Sequence, residues 1–476
     1  MDQLVHRAAR FAGIAAGLGC TTTGFAQQAE LPHARSDATG AATGAGAAPD
    51  RFTLLARSET YLQLFRRALL PGPAGSVVTS EALAPLTEYL RVEARDADSP
   101  WQRDSVDVEL SAWQQVWPTR SGYERPFDGD LQTANLGLSA GPVRLRLGRQ
   151  LMAGGAARFA RFDGLSLSAP LGAGLSVAAY GGWAVLPRWD ARPGYHQLGI
   201  AERGALPGEA LTLPREAHWL VGGRAVYTTE RASAAVSFHE QHAVGGVQRR
   251  NLGLDASAQL FKTAAAGGSV LYELDQRHVA EARAHLDLAP LNEVRLTVEG
   301  VRTKPGLFLS RQSVLSVFGT SAYDELGGFL SWQVLNPLRL ETSGWVERYD
   351  TGRPGARSEA VVRLDLGGAR PTLVRTGYGR VLVAESGYHT LRLSLARALA
   401  PALTASVEAY SYFYDRALWG YRTSALYSGT LSYRPWEALE LLWGGSLFSS
   451  PYARLDAQTL LRVSYELDAS GRGRRR

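Results

Sequence analysis

Cysteine is almost absent from this 476-residue chain: Cys20 is the only one, so it can form no internal disulfide and no cysteine-based metal site. Lysine is nearly missing too, with Lys262 and Lys304 alone, and the rest of the positive charge is arginine. No stretch reaches the roughly twenty apolar residues that a membrane-crossing helix needs. A G-x-S-x-G nucleophile elbow and a phosphate-binding glycine loop are also lacking. The formal net charge of +6 is no nucleic-acid footprint, because Arg472, Arg474, Arg475 and Arg476 crowd the last residues and the body of the chain is nearly neutral.

What the chain has in quantity is alternation. From about residue 87 to 467, apolar and polar residues alternate in short runs punctuated by turn signals, and the pattern recurs roughly twenty times, as in a transmembrane β-barrel. Val294, Leu296 and Val298 oppose Glu293, Arg295, Thr297 and Glu299. Leu145 and Leu147 oppose Arg144 and Arg146; Ala282, Ala284 and Leu286 oppose Glu281, Arg283, His285 and Asp287. A soluble β-sandwich alternates as well, with its apolar face inside, so alternation alone leaves both readings open. Charge at the midplane of a barrel's lipid face costs about 2–4 kcal/mol, so in a barrel the charged rows face inward. The expected pore-lining set is Arg144, Arg146, Glu281, Arg283, Asp287, Glu293, Arg295, Glu299, Arg339, Glu341, Arg363, Asp365, Arg392, Glu408 and Arg462. Tyr410, Tyr412 and Trp345 also lie on polar faces, where they suit either stacking on sugar rings or ordinary wall packing.

The N-terminus supports export from the cytoplasm. Arg7 and Arg10 precede the short apolar segment 11–20, and Gly24-Phe25-Ala26 fits a small-x-small cleavage site, which defines a signal peptide over 1–26. Cys20 lies within it, in a setting like a lipoprotein box but with Gly17 in place of the leading leucine. Residues 27–57 read as a disordered periplasmic lead-in. Within 58–85, Tyr61, Leu62, Phe65 and Leu69 fall at helical spacing, which suits a short helix or plug, or else an imperfect first strand. The barrel is expected over 86–467 and an Arg-rich tail over 468–476.

Links near 141–142, 170–172, 336–337 and 400–401 are tight, whereas 183–217 and 303–324 are long and fall on one side when strands are counted in pairs. Short turns belong to the periplasmic end of such barrels, which puts the C-terminus in the periplasm. The expected fold is an all-β, antiparallel, up-and-down transmembrane barrel of about 18–22 strands, with the first candidate strand lacking a partner. Tyr427, Tyr433, Trp332 and Tyr465 are placed for interfacial girdles.

Catalytic constellations are weak, and neither a catalytic residue, a metal site nor a cofactor is expected. His239-Glu240-Gln241-His242 evokes a zinc motif, but on a strand residues 239 and 242 point to opposite faces. His285 and Asp287 share a face near the periplasmic end, where a lumen network with Arg283 suits them better than catalysis.

One stretch carries more than pattern. Leu147-Gly148-Arg149-Gln150, followed by Arg158, Arg161 and Phe162-Asp163-Gly164-Leu165, resembles the "GRQ … R … FDG" hairpin of alginate-export-type outer-membrane porins. The resemblance implies a polysaccharide-exporting channel, a periplasmic export protein as partner, and Arg149, Arg158, Arg161 and Asp163 as an extracellular rim that contacts the polymer. The chain departs from that family in its lumen, which mixes both charge signs. A diffusion porin for small nutrients and a structural or adhesive barrel with a closed lumen are the competing readings. All three share the outer membrane as location, its lipid and the barrel-assembly machinery as partners, and no nucleic acid.

Overall fold

Two-faced strands that must leave no backbone group unpaired in lipid have one outcome, a sheet closed on itself. The computed structural model describes residues 52–68, 80–96, 105–116, 127–185, 218–243, 246–304, 322–350, 352, 354–368, 370–383, 387–418, 420–449 and 455–469. The first strands are β1 (Phe52–Ala68), β2 (Ser80–Leu83), β3 (Leu86–Asp96), β4 (Ser105–Val116), β5 (Phe127–Ala140), β6 (Val143–Gly154), β7 (Arg158–Gly172) and β8 (Leu175–Ala184). The wall continues through β9 (Trp219–Thr228), β10 (Ala232–Ala243), β11 (Gly246–Phe261), β12 (Ala264–Glu273), β13 (His278–Leu291), β14 (Val294–Thr303), β15 (Tyr323–Leu335) and β16 (Leu338–Tyr349). It ends with β17 (Pro354–Leu366), β18 (Thr372–Leu382), β19 (Gly387–Ala400), β20 (Leu403–Leu418), β21 (Tyr421–Trp436), β22 (Leu439–Ser449) and β23 (Asp456–Asp468).

β1 pairs with β23 on one side and with β2 and β3 on the other, so the ring closes. β2 and β3 are a single stave interrupted at Pro85, whose ring removes a donor while its carbonyl accepts from the Gln63 N–H at 3.1 Å. The result is an up-and-down antiparallel barrel of 22 staves. An odd number cannot close this way, because the first and last strands would run parallel. The stave that completes the even count is β1, so the segment with helical spacing is wall: Ala56, Ser58, Thr60 and Leu62 take one face, and Arg57, Glu59, Tyr61 and Gln63 the other. Closure overrides the local periodicity, since a missing β1 would leave the edges of β3 and β23 unpaired in lipid. The signal segment 1–26, most of the lead-in and residues 470–476 lie outside the described residues.

The tight connections at 141–142, 173–174, 262–263, 292–293, 336–337 and 401–402 share one end with the start of β1 and the end of β23. That end is periplasmic by the turn-length rule. Gly141 (φ 57°) and Gly174 (φ 81°) supply the left-handed conformations that two of these turns require. β8 and β14 end, and β9 and β15 begin, at the opposite, extracellular end.

Register fixes which face is which. Leu147 pairs with Leu136 and Leu165, and Val298 pairs with Leu286 and Gly328, forming an outward apolar surface whose large residues are exposed. A β-sandwich buries that face, so the alternative of a soluble fold is excluded. Tyr227, Trp332, Tyr433 and Tyr465 mark the outward belt near the periplasmic end, while Trp183 and Trp219 mark it near the extracellular end. Such rings settle at headgroup level.

Candidate functional site: the lumen and its inward hairpin

On the inward face the wall is polar, and one extracellular connection turns into it. β6 and β7 outrun their neighbours: β5 pairs with β6 only as far as Arg149, and β8 pairs with β7 only from Phe162 onward. The free tip closes through a single 3-10 turn, Gly155–Ala157, with Gly154 (φ 90°), Gly155 (φ 55°) and Arg158 (φ 58°) all in the left-handed half of the map. This tip passes over β8 and β9 and lies against the inner wall of β10–β13.

Its anchors are specific. The Ala156 N–H donates to Ser237 Oγ at 2.8 Å, and Asn251 Nδ2 donates to the Ala156 carbonyl at 3.2 Å. Ser237 and Asn251 face inward on β10 and β11 and are buried beneath the tip. Ala156 packs on Leu271 and Ala280, while Ala157, Ala160 and Phe162 pack on Tyr180 and Leu220. Phe162 is fully buried, and removing such a side chain from water is worth about 1.5–3 kcal/mol. Arg158 is ion-paired with Glu281.

Two inward glycines make the approach possible. A Cβ on Gly253 would stand 2.5 Å from Ser237 Oγ and 2.7 Å from the Ala156 nitrogen. A Cβ on Gly222 would stand 2.2 Å from the Tyr180 hydroxyl, which lies flat over that stave. Tyr180 also meets His239 Nδ1 at 3.0 Å, and Arg249 meets His239 Nε2 at 2.9 Å. A guanidinium only donates, so Nε2 accepts, Nδ1 carries the proton, and the Tyr180 oxygen receives it. His239 is thus a buried structural histidine, while His242 faces outward and stacks on Trp219 at 4.0 Å. Among the described residues no group of three His, Cys, Asp or Glu side chains is placed to hold a metal ion.

The register puts Arg144, Arg146, Glu281, Arg283, Asp287, Arg295 and Glu299 on the inward face, and likewise Arg339, Glu341, Arg363, Asp365, Arg392, Glu408 and Arg462. Glu293 instead lies in the periplasmic turn between β13 and β14. Much of the charge is paired across staves: Arg283 with Glu299 at 2.7 Å, Arg224 with Asp255 at 3.1 Å, Arg144 with Asp107 at 3.1 Å and Arg462 with Glu440 at 3.1 Å. Asp287 accepts from Thr297 at 2.6 Å, with His285 Nε2 3.8 Å from it, which ties this pair into the wall. Trp345 lies over Gly327, where a Cβ would be 2.6 Å from its ring, with the Arg357 guanidinium 4.9 Å from its centroid. Its ring is wall packing.

The supposed polymer-binding rim is built differently. Arg149 lies two residues after outward Leu147, and Asp163 and Arg161 lie two and four before outward Leu165, while the buried Gln150 and Phe162 between them face in. Asp163 is in register with the exposed Trp183. Arg149 grips Asp163 through two hydrogen bonds of 2.7 Å, and Arg161 reaches Asp130 at 2.6 Å. Of the four residues, Arg158 alone turns into the lumen. Arg149, Arg161 and Asp163 therefore brace the outer surface of a hairpin whose inward Gln150 and Phe162 are buried, and the sequence offered no local sign of its inward bend.

No family model and no curated protein matches the sequence. Among solved structures the chain is similar to Pseudomonas aeruginosa OccK2 (OpdF) in complex with glucuronate, with 12% identity, 89% of this chain and 100% of that chain covered, and a TM-score of 0.40. It is also similar to a BenF-like porin from Pseudomonas fluorescens Pf-5 (9%, 89% and 100%, 0.40) and to Pseudomonas aeruginosa OccK9 (OpdG) (14%, 88% and 98%, 0.38). The resemblance to alginate-export-type porins drawn from the hairpin motif is corrected: the structures found are of OccK and BenF-like porins. A closed antiparallel barrel with an outward apolar belt is the outer-membrane architecture, and on that ground the chain is an outer-membrane β-barrel.

Proposed function

We propose that the protein is a passive aqueous channel that admits small polar solutes across the outer membrane. The observation that carries this reading is the inward hairpin. A polymer exporter needs an unobstructed bore, whereas here a pinned turn lies within a polar lumen and sets a size limit. Charges paired across neighbouring staves keep the wall rigid and prevent any one site from trapping an ion, as conduction requires. In this role the pore-lining charges tune ion preference and perform no chemistry.

Liposomes carrying the purified barrel test the reading. They are expected to swell in isotonic solutions of small sugars and amino acids, with rates falling steeply as solute size rises. Exclusion of every solute by correctly folded protein would favour the closed, structural barrel.

A further inference from the structure

Half the ring away from β10, on β19–β22, the inner wall changes character. Tyr410, Tyr412 and Tyr414 occupy successive inward positions of β20, and Tyr388 stands across from Tyr414 on β19. Their rings form one cluster: Tyr410 and Tyr412 have centroids 4.7 Å apart, Tyr412 and Tyr414 stack at 6.4 Å with planes 9° apart, and Tyr388 lies 5.8 Å from Tyr412. All four are partly exposed. β20 rises from a periplasmic turn, so the cluster belongs to the extracellular half of the lumen, on the wall facing the hairpin.

Below the cluster the sector is hydroxylated. Ser406 meets Thr430 at 2.6 Å, and Ser428 on β21 is in register with Ser446 on β22. Of the nearby charges, Arg392 is paired with Glu408, while Glu440 takes both Arg462 at 3.1 Å and Arg434 at 3.5 Å. Aromatic faces with hydroxyl rims, followed by serine and threonine, suit a ring that has apolar C–H faces and an equatorial belt of hydroxyls. That chemistry is a sugar.

We propose that Tyr388, Tyr410, Tyr412 and Tyr414 form a stacking station for sugar rings, which pass from it to the hydroxyl track of β20–β22. This rests on the reading of the barrel as a channel, and it names the solute class. Phenol faces hold the ring by apolar contact while exchangeable hydroxyl hydrogen bonds let it advance.

The test combines single-channel recording in potassium chloride with calorimetric titration of the detergent-solubilised protein, both using a glucose trisaccharide as probe. Brief, concentration-dependent current interruptions and a measurable heat of binding are expected. Tyr410→Ala with Tyr412→Ala should shorten the interruptions and weaken binding about tenfold, the scale of one lost stacking contact. Tyr410→Phe with Tyr412→Phe should stay within about threefold of the parent, and it keeps the test decisive should the alanine variant fail to assemble. An unchanged response in the alanine variant, a phenylalanine variant as weak as the alanine one, or interruptions by benzoate but not by the sugar would each overturn the station. Tyrosine-dependent heat without conductance would support the station and remove the channel.

Discussion

Asn251 donates a hydrogen bond to the carbonyl of Ala156 across 95 residues of sequence, from the inner wall of β11 to the tip of the β6–β7 hairpin. With the Ala156 N–H bound to Ser237 Oγ, both polar groups of one peptide-chain residue are held by the opposite side of a fold-over. The hairpin is thereby fixed in the lumen instead of extending outward from the rim.

Gly253→Val should dislodge that tip. The added carbons collide with Ser237 and the Ala156 backbone, which cannot yield without breaking both anchors. Single-channel records of this variant are expected to show larger and noisier conductance. Ser237→Ala, which removes this side chain's hydrogen bond to the tip, worth about 1 kcal/mol, along with its bond to the Gly253 carbonyl, should give a milder form of the same change. Unaltered current in both would mean that the tip does not limit the pore.

The assignment of faces makes a second prediction. Val298→Arg places a cation on the lipid side at a cost of about 2–4 kcal/mol near the midplane and should reduce assembly, read by the heat-sensitive gel shift of folded barrels. Glu299→Gln should assemble normally. By leaving Arg283 without its carboxylate partner, it should move the reversal potential toward anion selectivity. A Glu299 variant that fails to fold beside a tolerated Val298→Arg would invert the faces.

The outward network predicts stability effects without transport effects. Arg149→Ala or Asp163→Ala removes both 2.7 Å hydrogen bonds from the partner that remains and should lower the denaturation midpoint of the folded barrel, whereas the double variant should recover part of the loss. Conductance and ion selectivity are expected to match the parent in all three. Altered selectivity with unchanged stability would place these residues in the pore.

How much of this could be read from the chain follows from the range of each contact. β14 is explicit in its alternation, because Leu296 and Val298 face lipid while Arg295 and Glu299 face the lumen, a local rule with a large energetic penalty behind it. β1 is not, because Tyr61, Leu62 and Phe65 sit at a spacing that suits a helix as well as a strand, and only the need to close an even ring decides between them. The hairpin was least legible. Its anchors span 81 and 95 residues, and its enabling signals are an inward glycine on β9 and another on β11, which look like ordinary small residues until something lies on them. The tyrosines of β20 were visible as a polar-face aromatic run, but their grouping with Tyr388 depends on the β19–β20 register.

The most direct test of the account is planar-bilayer recording of the parent beside a variant in which residues 153–158 are replaced by a two-residue turn. The account predicts discrete, long-lived conductance steps from the parent and clearly larger steps from the shortened hairpin. Absence of steps from folded parent protein, or steps of the same size from both, would contradict it.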